Sequence, residues 1–267
     1  MTPAKFKTLV WRFYKEHGRH DLPWRSVRNQ TVYRILVSEV MLQQTQVDRV
    51  IPFYKKFLAQ FPTAKKLASA PLSDVLKAWQ GLGYNRRAKL LQLAAKELSV
   101  RKVTTIADLE TLPGVGRYTA SAVAAFALTI DSIVVETNIR TVIIHHFFPN
   151  KLKVTDTDIE EVLSKVLPKG KAREWYSALM DYGSYLKRSG ISHNAKSTTH
   201  TKQTTFAGSL REARGAIVKE LAKGSRAKAR LTELLGGDRR EQLVAALDAL
   251  CTDELIVRNK SGYVLRN

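Results

Sequence analysis

The stretch Leu112-Pro113-Gly114-Val115-Gly116-Arg117-Tyr118-Thr119-Ala120 opens an Ala-rich segment and sets a glycine turn at the start of a helix. Backbone N–H groups and the positive end of the helix dipole converge at such a turn, so it can seat a phosphate. Gly114 and Gly116 are expected to supply the positive φ and close backbone approach that the turn needs, and Pro113 removes a donor where none is required. The same residues also fit a plain interhelical turn. Charge bears on the choice: 44 Lys and Arg stand against 24 Asp and Glu in 267 residues, a formal net charge of +20. The phosphate is therefore expected on a nucleic-acid backbone, where released counterions supply much of the affinity. An anionic membrane surface is the rival partner. However, no apolar run approaches about 18 residues and the N-terminus lacks a signal-peptide pattern, so a soluble, cytoplasmic, nucleoid-associated protein with no membrane partner is expected. The single cysteine, Cys251, leaves no intrachain disulfide or multi-cysteine cluster and is expected to be a buried small hydrophobe.

These residues need helices to hold them. From Thr31 to about Ala125 apolar residues recur at helical spacing, broken at Phe61-Pro62, Ala70-Pro71, Gly81-Leu82-Gly83 and Pro113-Gly114. Thr105 and Asp108 read as a capping box for a helix over 106–111 that leads into the glycine turn, giving helix, hairpin, helix. Further helices are predicted over 137–148, over 156–166 with Thr155-Asp156 as the cap, and over 171–187. Residues 187–205 contain no acid and, after Leu186, only Ile191 as a bulky apolar residue, which reads as a basic linker. Beyond it, helices over 210–221, 227–235 and 239–250 and a hairpin over 255–265 suggest a winged helix-turn-helix. The helix over 239–250 would be its groove reader, and Lys260 at the wing tip would lie near phosphate. A helical protein-interaction module is the alternative for this region.

Three more segments give the hairpin its context: Leu22-Pro23-Trp24-Arg25, Val37-Ser38-Glu39-Val40-Met41-Leu42-Gln43-Gln44-Thr45-Gln46-Val47, and Trp79-Gln80-Gly81-Leu82-Gly83-Tyr84. With Ala178-Leu179-Met180-Asp181-Tyr182-Gly183, their order and wording resemble the adenine DNA glycosylase branch of the helix-hairpin-helix glycosylases, over about residues 6 to 187. The resemblance implies an all-α fold of two helical subdomains over 1–186, followed here by the linker 187–205 and a small winged helix-turn-helix domain over 206–267. It also implies roles. Breaking an N-glycosidic bond requires protonating a poor leaving base and stabilising an oxocarbenium-like sugar, and two carboxyl groups can divide that work. By similarity Glu39 is the general acid, needing a raised pKa that neighbours such as Leu36, Val40 and Met41 could provide.

The family's second carboxylate is an Asp shortly before an Asn, and Val134-Val135-Glu136-Thr137-Asn138 puts Glu136 in that place. Its extra methylene shifts the carboxylate by roughly an ångström, a displacement that can cost about a hundredfold in rate. Glu136 is also well placed to cap the following helix; Asn138 would orient the site. Tyr118 stands where lyase-active relatives carry a nucleophilic lysine, which implies hydrolysis without a Schiff base. Gln44 and Tyr84 match the wedge that fills the gap left by a flipped base, with Gln43 supporting from the same helix. Arg86 and Arg87 are expected on phosphate, as are Pro113, Gly114, Val115, Gly116, Arg117 and Thr119 of the hairpin. Arg25 is expected in the substrate pocket.

Two features of the family are missing from the sequence. Its four-cysteine iron–sulfur loop would begin at Lys187, and no cysteine follows until Cys251; the long C-terminal domain that recognises 8-oxoguanine is not matched after residue 205. The resemblance thus implies a monofunctional glycosylase without an iron–sulfur cluster or other metal, save a monovalent cation at the hairpin. Acting as a monomer, it would remove adenine opposite guanine or 8-oxoguanine from double-stranded DNA. The open alternatives are uracil, thymine or hypoxanthine as the base, and a non-catalytic protein that binds damaged DNA.

Overall fold

The computed structural model describes residues 1–199 and 205–267. Among these the chain forms α1 (Pro3–His17), α2 (Val32–Leu42), α3 (Val47–Gln60), α4 (Ala64–Ala68), α5 (Leu72–Trp79), α6 (Arg86–Val100) and α7 (Ile106–Glu110). It continues with α8 (Arg117–Leu128), α9 (Thr137–Phe147), α10 (Asp156–Val166), α11 (Ala172–Arg188), α12 (Leu210–Leu221), α13 (Lys228–Leu235) and α14 (Arg240–Thr252), and ends in an antiparallel hairpin of β1 (Ile256–Asn259) and β2 (Gly262–Leu265).

Contacts divide the chain into two compact units that are not simple halves of the sequence. The first comprises Met1–Glu39, Val103–Thr111 and Val115–Lys202; the second comprises Val40–Lys102, Leu112–Gly114 and Gln203–Asn267. Helix α2 contributes residues to both, and the last 65 residues share a unit with α3 to α6.

In the first unit α11 packs on α1, α8 and α9, and α10 packs on α1 and α9. Their apolar faces close over Phe6, Ile143, Trp175, Tyr176 and Leu179, all buried. Caps set where these helices begin. Thr155 accepts from the Asp158 amide at 3.2 Å while Asp158 accepts from the Thr155 amide at 2.9 Å, and Thr105 and Asp108 do the same at the start of α7. Each box satisfies two helix-end donors from residues three apart, which is why both starts are legible in the sequence.

Part of the expected linker over 187–205 is instead ordered structure. Helix α11 runs on to Arg188, and the following loop is pinned by a bridge between Val154 and Ser197 and by Lys196 Nζ on the Pro149 carbonyl at 2.7 Å. Thr141 donates to Asn194 at 3.2 Å, and the His145 and His193 rings meet at 3.2 Å. Polar side chains, invisible to an apolar-periodicity reading, hold this loop to α9 and to Val154. Residues 200–204 of the predicted linker lie outside the described residues.

In the second unit α6 packs on α4 and α5, and α12 packs on α13, α14 and β2. The three C-terminal helices bury Ile217, Leu221, Leu231, Leu247 and Leu250 beneath the hairpin, in the order expected of a small winged domain. Cys251 is partly exposed rather than buried.

Candidate functional site

Glu39 occupies the inner face of α2, 7% exposed, where Leu36 and Met41 are fully buried and Val40 nearly so. Removal from water penalises its charged form, and the neighbouring charge of Glu136 adds to this; a hydrogen bond from Tyr118 works the other way. The carboxyl pKa is raised to about 7. The Tyr118 hydroxyl, on the first turn of α8, donates to Glu39 Oε2 at 3.2 Å. Burial of the hydroxyl and the two carboxylates hold its own pKa well above the ordinary phenol value, so it remains a neutral donor. Tyr118 is nevertheless 37% exposed as a residue.

Glu136 is the N-cap of α9. Its Oε1 accepts from the amides of Asn138 at 2.8 Å and Ile139 at 2.9 Å, while Oε2 accepts from Thr137 Oγ1 at 3.1 Å and Asn138 Nδ2 at 3.3 Å. A carboxylate so held is fixed in direction and favoured by the helix dipole. The capping and active-site readings of Glu136 are compatible in this geometry: the cap aims the charge. Gly183, on α11, permits the close packing beneath it, since a Cβ there would lie 2.3 Å from the Asn138 carbonyl oxygen. One turn further along α11 is Lys187. Its pKa is lowered by burial against the opposing influence of Glu136, which places a cation within electrostatic reach of that carboxylate. Sequence reasoning missed both roles; the only signal was the Gly183-to-Lys187 spacing of one helical turn.

The other expected residues of this unit differ in what they do. Arg25 does not line an open pocket: it donates to Asp181 at 2.7 and 3.0 Å and to the carbonyls of Arg19 and Ser177, and Arg19 grips the same carboxylate. Asp181 is 2% exposed, and the arginines hold its pKa low against the effect of burial. The cluster ties the segment before α2 to α11. Gly116, the N-cap of α8, has φ −93 rather than a positive value, and a Cβ there would meet nothing within 4 Å. Its glycine is not needed for the turn itself. Thr119 and Val115 are buried, at 4% and 7%, so only their backbones can face a ligand, while Arg117 is exposed and pairs with Glu160 at 3.3 Å.

The second unit carries the residues expected to form a wedge, Gln44 and Tyr84. Helix α2 ends at Leu42, so Gln43 and Gln44 lie in the turn after it rather than on the helix. Gln44 has φ +55 and Tyr84 has φ +48, in the left-handed region that side chains rarely adopt. The Tyr84 hydroxyl donates to Gln44 Oε1, joining the two turns. Arg87 is the reason both turns hold. It donates to the carbonyls of Val40 at 2.6 Å, Gln43 at 2.7 Å, Leu82 at 3.1 Å and Gly83 at 3.3 Å, and lies over the Tyr84 ring at 5.1 Å. Arg87 therefore departs from the expected phosphate contact: its guanidinium is spent inside the protein, and burial lowers its pKa to about 10. Arg86 beside it is exposed and pairs with Asp253 at 3.4 Å. Within the hairpin Gly114 does use positive φ, +76, and a Cβ would strike Leu90 at 2.7 Å.

A family description, HhH-GPD superfamily base excision DNA repair protein, matches residues 37–169. The adenine DNA glycosylase of Mycolicibacterium smegmatis is 34% identical over 288 residues, covering 98% of this chain and 95% of that protein. That of Buchnera aphidicola from Acyrthosiphon pisum is 34% identical over 191 residues, covering 68% of this chain and 54% of its own length. The chain thus spans about half the length of the Buchnera relatives it matches. Among solved structures, a thermostable thymine-DNA glycosylase superposes with a TM-score of 0.58 at 26% identity, covering 68% of this chain and 86% of that one. A non-covalent endonuclease III–DNA complex shares the fold, with a TM-score of 0.53 at 20% identity over 70% of this chain and 86% of that one. The hairpin between α7 and α8, the glutamate on α2 and the extent of these likenesses together identify the fold as that of the helix-hairpin-helix glycosylases, and the chain belongs to the HhH-GPD superfamily of base excision DNA repair proteins.

Proposed function

We propose that the protein is a monofunctional DNA glycosylase that flips a mispaired adenine, opposite guanine or 8-oxoguanine, out of double-stranded DNA and hydrolyses its bond to deoxyribose. The observation that carries this reading is the pair of unlike carboxyl groups. Glu39, with its pKa raised to about 7, keeps a large protonated fraction at neutral pH; Glu136 is fixed by a helix N-terminus. Glu39 donates its proton to a ring nitrogen of the leaving base, the C1′–N bond breaks with its electron pair going to the base, and Glu136 stabilises the sugar cation. Water then adds at C1′ and loses a proton, leaving an abasic site.

Tyr118 favours hydrolysis over strand cleavage, because a phenol held neutral beside Glu39 offers no amine for a Schiff base. The single cysteine of the chain does not fit a four-cysteine iron–sulfur cluster, and the loop after α11 presents imidazole, hydroxyl and amide groups instead. The exposed Arg117 and the open face of Gly116 suit a phosphate, and the C-terminal helices with Lys260 on the hairpin suit a second DNA contact.

A lesion panel tests the reading. Duplexes carrying adenine, uracil, thymine or hypoxanthine opposite guanine and 8-oxoguanine are incubated with the protein, and abasic sites are then cleaved with alkali. Product from the adenine duplexes is expected; product from the uracil or thymine duplex alone would sink the adenine assignment. Borohydride trapping of a covalent adduct would overturn the monofunctional part. Equal, background-level release by wild type and E39Q, with DNA binding intact, would leave a binding protein rather than an enzyme.

A further inference from the structure

The terminal hairpin and the start of α13 enclose a cleft of about 300 Å³. Lys228, Arg258 and Lys260 line it, all three exposed, and no carboxylate does. Its walls are fixed by backbone. The Arg226 amide donates to the Tyr263 carbonyl at 3.0 Å and the Tyr263 amide to the Arg226 carbonyl at 2.9 Å, which docks the hairpin on the segment just before α13. Gly262 permits this approach: its φ is +132, and a Cβ there would lie 2.2 Å from the Arg226 carbonyl oxygen. The hairpin tip is held too, since the Ser261 amide and hydroxyl both donate to Asn259 Oδ1, at 3.1 and 2.9 Å, and the Ser225 and Ser261 hydroxyls meet at 2.9 Å. Acids of the flanking helices are already paired. Glu220 binds Lys223 and Arg226, each at 2.7 Å, and Glu233 binds Arg230 at 3.0 Å.

Helix α14 has the opposite character. Its exposed face, Arg240, Glu241, Val244, Ala245 and Asp248, sets two carboxylates against one guanidinium. Phosphates border both grooves of a duplex and repel such a face, so α14 does not suit the groove-reading role expected of it. We propose that the C-terminal segment instead grips the DNA sugar–phosphate backbone in the cleft, with Lys228, Arg258 and Lys260 on phosphate oxygens. The inference rests on the proposed reading of DNA as the partner and narrows its second contact to one site. Cations mounted on a docked hairpin and a helix start are already in place before DNA arrives, and each phosphate they neutralise releases counterions. Backbone contacts carry no base information. The segment therefore strengthens the hold on any duplex and leaves the choice of base to the residues around Glu39.

The test uses the full chain and undamaged duplexes of unrelated sequence, so that binding is read without catalysis. Affinity is measured between 50 and 200 mM salt. The slope of log K against log salt should be shallower by about 2–3 in K228A/R258A/K260A than in wild type, so that wild type loses about 40-fold more of its affinity over that range. The glutamine triple K228Q/R258Q/K260Q carries the test if the alanine one melts early. The loss should be the same on every sequence. A245E, which adds a carboxylate to the exposed face of α14, should bind within about threefold of wild type at 150 mM salt. Wild-type slope and affinity in the triple variant, a loss confined to one sequence, or a loss in A245E as large as that of the triple each overturn the inference. Absence of salt-dependent duplex binding by wild type is a different result: it removes DNA as the partner, and with it the reading on which the cleft rests.

Discussion

Glu39, Tyr118 and Glu136 stand on the regular backbone of α2, α8 and the cap of α9, whereas Gln44 and Tyr84 stand in turns with positive φ. The first unit obtains its chemistry by burial: a carboxyl group kept dry, and a second one fixed by amides that any helix start provides. The second unit obtains its shape by strain, with two non-glycine residues in the left-handed region and a buried arginine holding four carbonyls to keep them there. Proton transfer tolerates little positional error, and on the proposed reading the acid and its partner both sit on rigid elements. The turns leave Gln44 exposed and Tyr84 half-buried, the latter held by the ring contacts of Arg87 and Arg211.

This contrast can be broken at its strongest point first. E39Q removes the proton donor without changing shape, and base release in single-turnover assays should fall about 10²- to 10⁴-fold with abasic-site binding retained. A rate within threefold of wild type would remove Glu39 from the chemistry. Ionising Glu39 in the folded state is costly, because its pKa rises from 4.5 to about 7 on burial. The stability this group contributes is complete below pH 4.5 and lost as pH rises through about 7. E39Q should therefore be more stable than wild type above pH 7, by roughly 3 kcal/mol, and equal to it near pH 4, as thermal melts across that range will show. Activity should decline over the same upper limb, as the acid loses its proton.

The dual role of Glu136 separates with two variants. E136N keeps a capping side chain and removes the charge, so its rate should fall about 10²- to 10³-fold at nearly unchanged melting temperature. E136A should lose the same rate and about 1 kcal/mol of stability besides. Equal rates for E136N and wild type would assign Glu136 to capping alone.

Arg87 tests the wedge unit. R87M leaves the carbonyls of Val40, Gln43, Leu82 and Gly83 without their donor, and should cost about 2–4 kcal/mol in denaturant unfolding. A loss below about 0.5 kcal/mol, the range of ordinary surface substitutions, would mean that the turns hold themselves. G114A gives a smaller effect, about 1–3 kcal/mol, from forcing positive φ on alanine and pressing its methyl on Leu90. The matching G116A should be neutral for stability, since a Cβ there meets nothing, and a measured loss above 1 kcal/mol would contradict the open geometry.

The capping pairs Thr105–Asp108 and Thr155–Asp158 made two helix starts readable, and the spacing of Leu and Ile over 210–221 gave α12 its observed ends. Glu39 and Glu136 were visible only because the surrounding words resemble a known branch; by residue type alone each is a helix glutamate. Gln43 and Gln44, expected together on a helix, lie in the turn after Leu42, where Arg87, 44 residues on, takes the Gln43 carbonyl. The ordered part of the loop after α11 escaped for a similar reason, since a polar tract with no apolar period gives no hint of the hydrogen bonds that hold it to Val154 and α9.

The sequence by itself determined most helices after Thr31, the capping pairs at 105–108 and 155–158, the positive φ of Gly114, the excess of positive charge and the family, since each depends on residues near one another in the chain or on a motif read in order. The tertiary structure decided what these residues face: that Glu39 is dry enough to hold a proton near pH 7, that Arg87 and Arg25 serve the protein rather than a ligand, and that Arg211 meets Tyr84 across 127 residues. Burial and long-range partners set pKa values and free donors, and no local pattern encodes them.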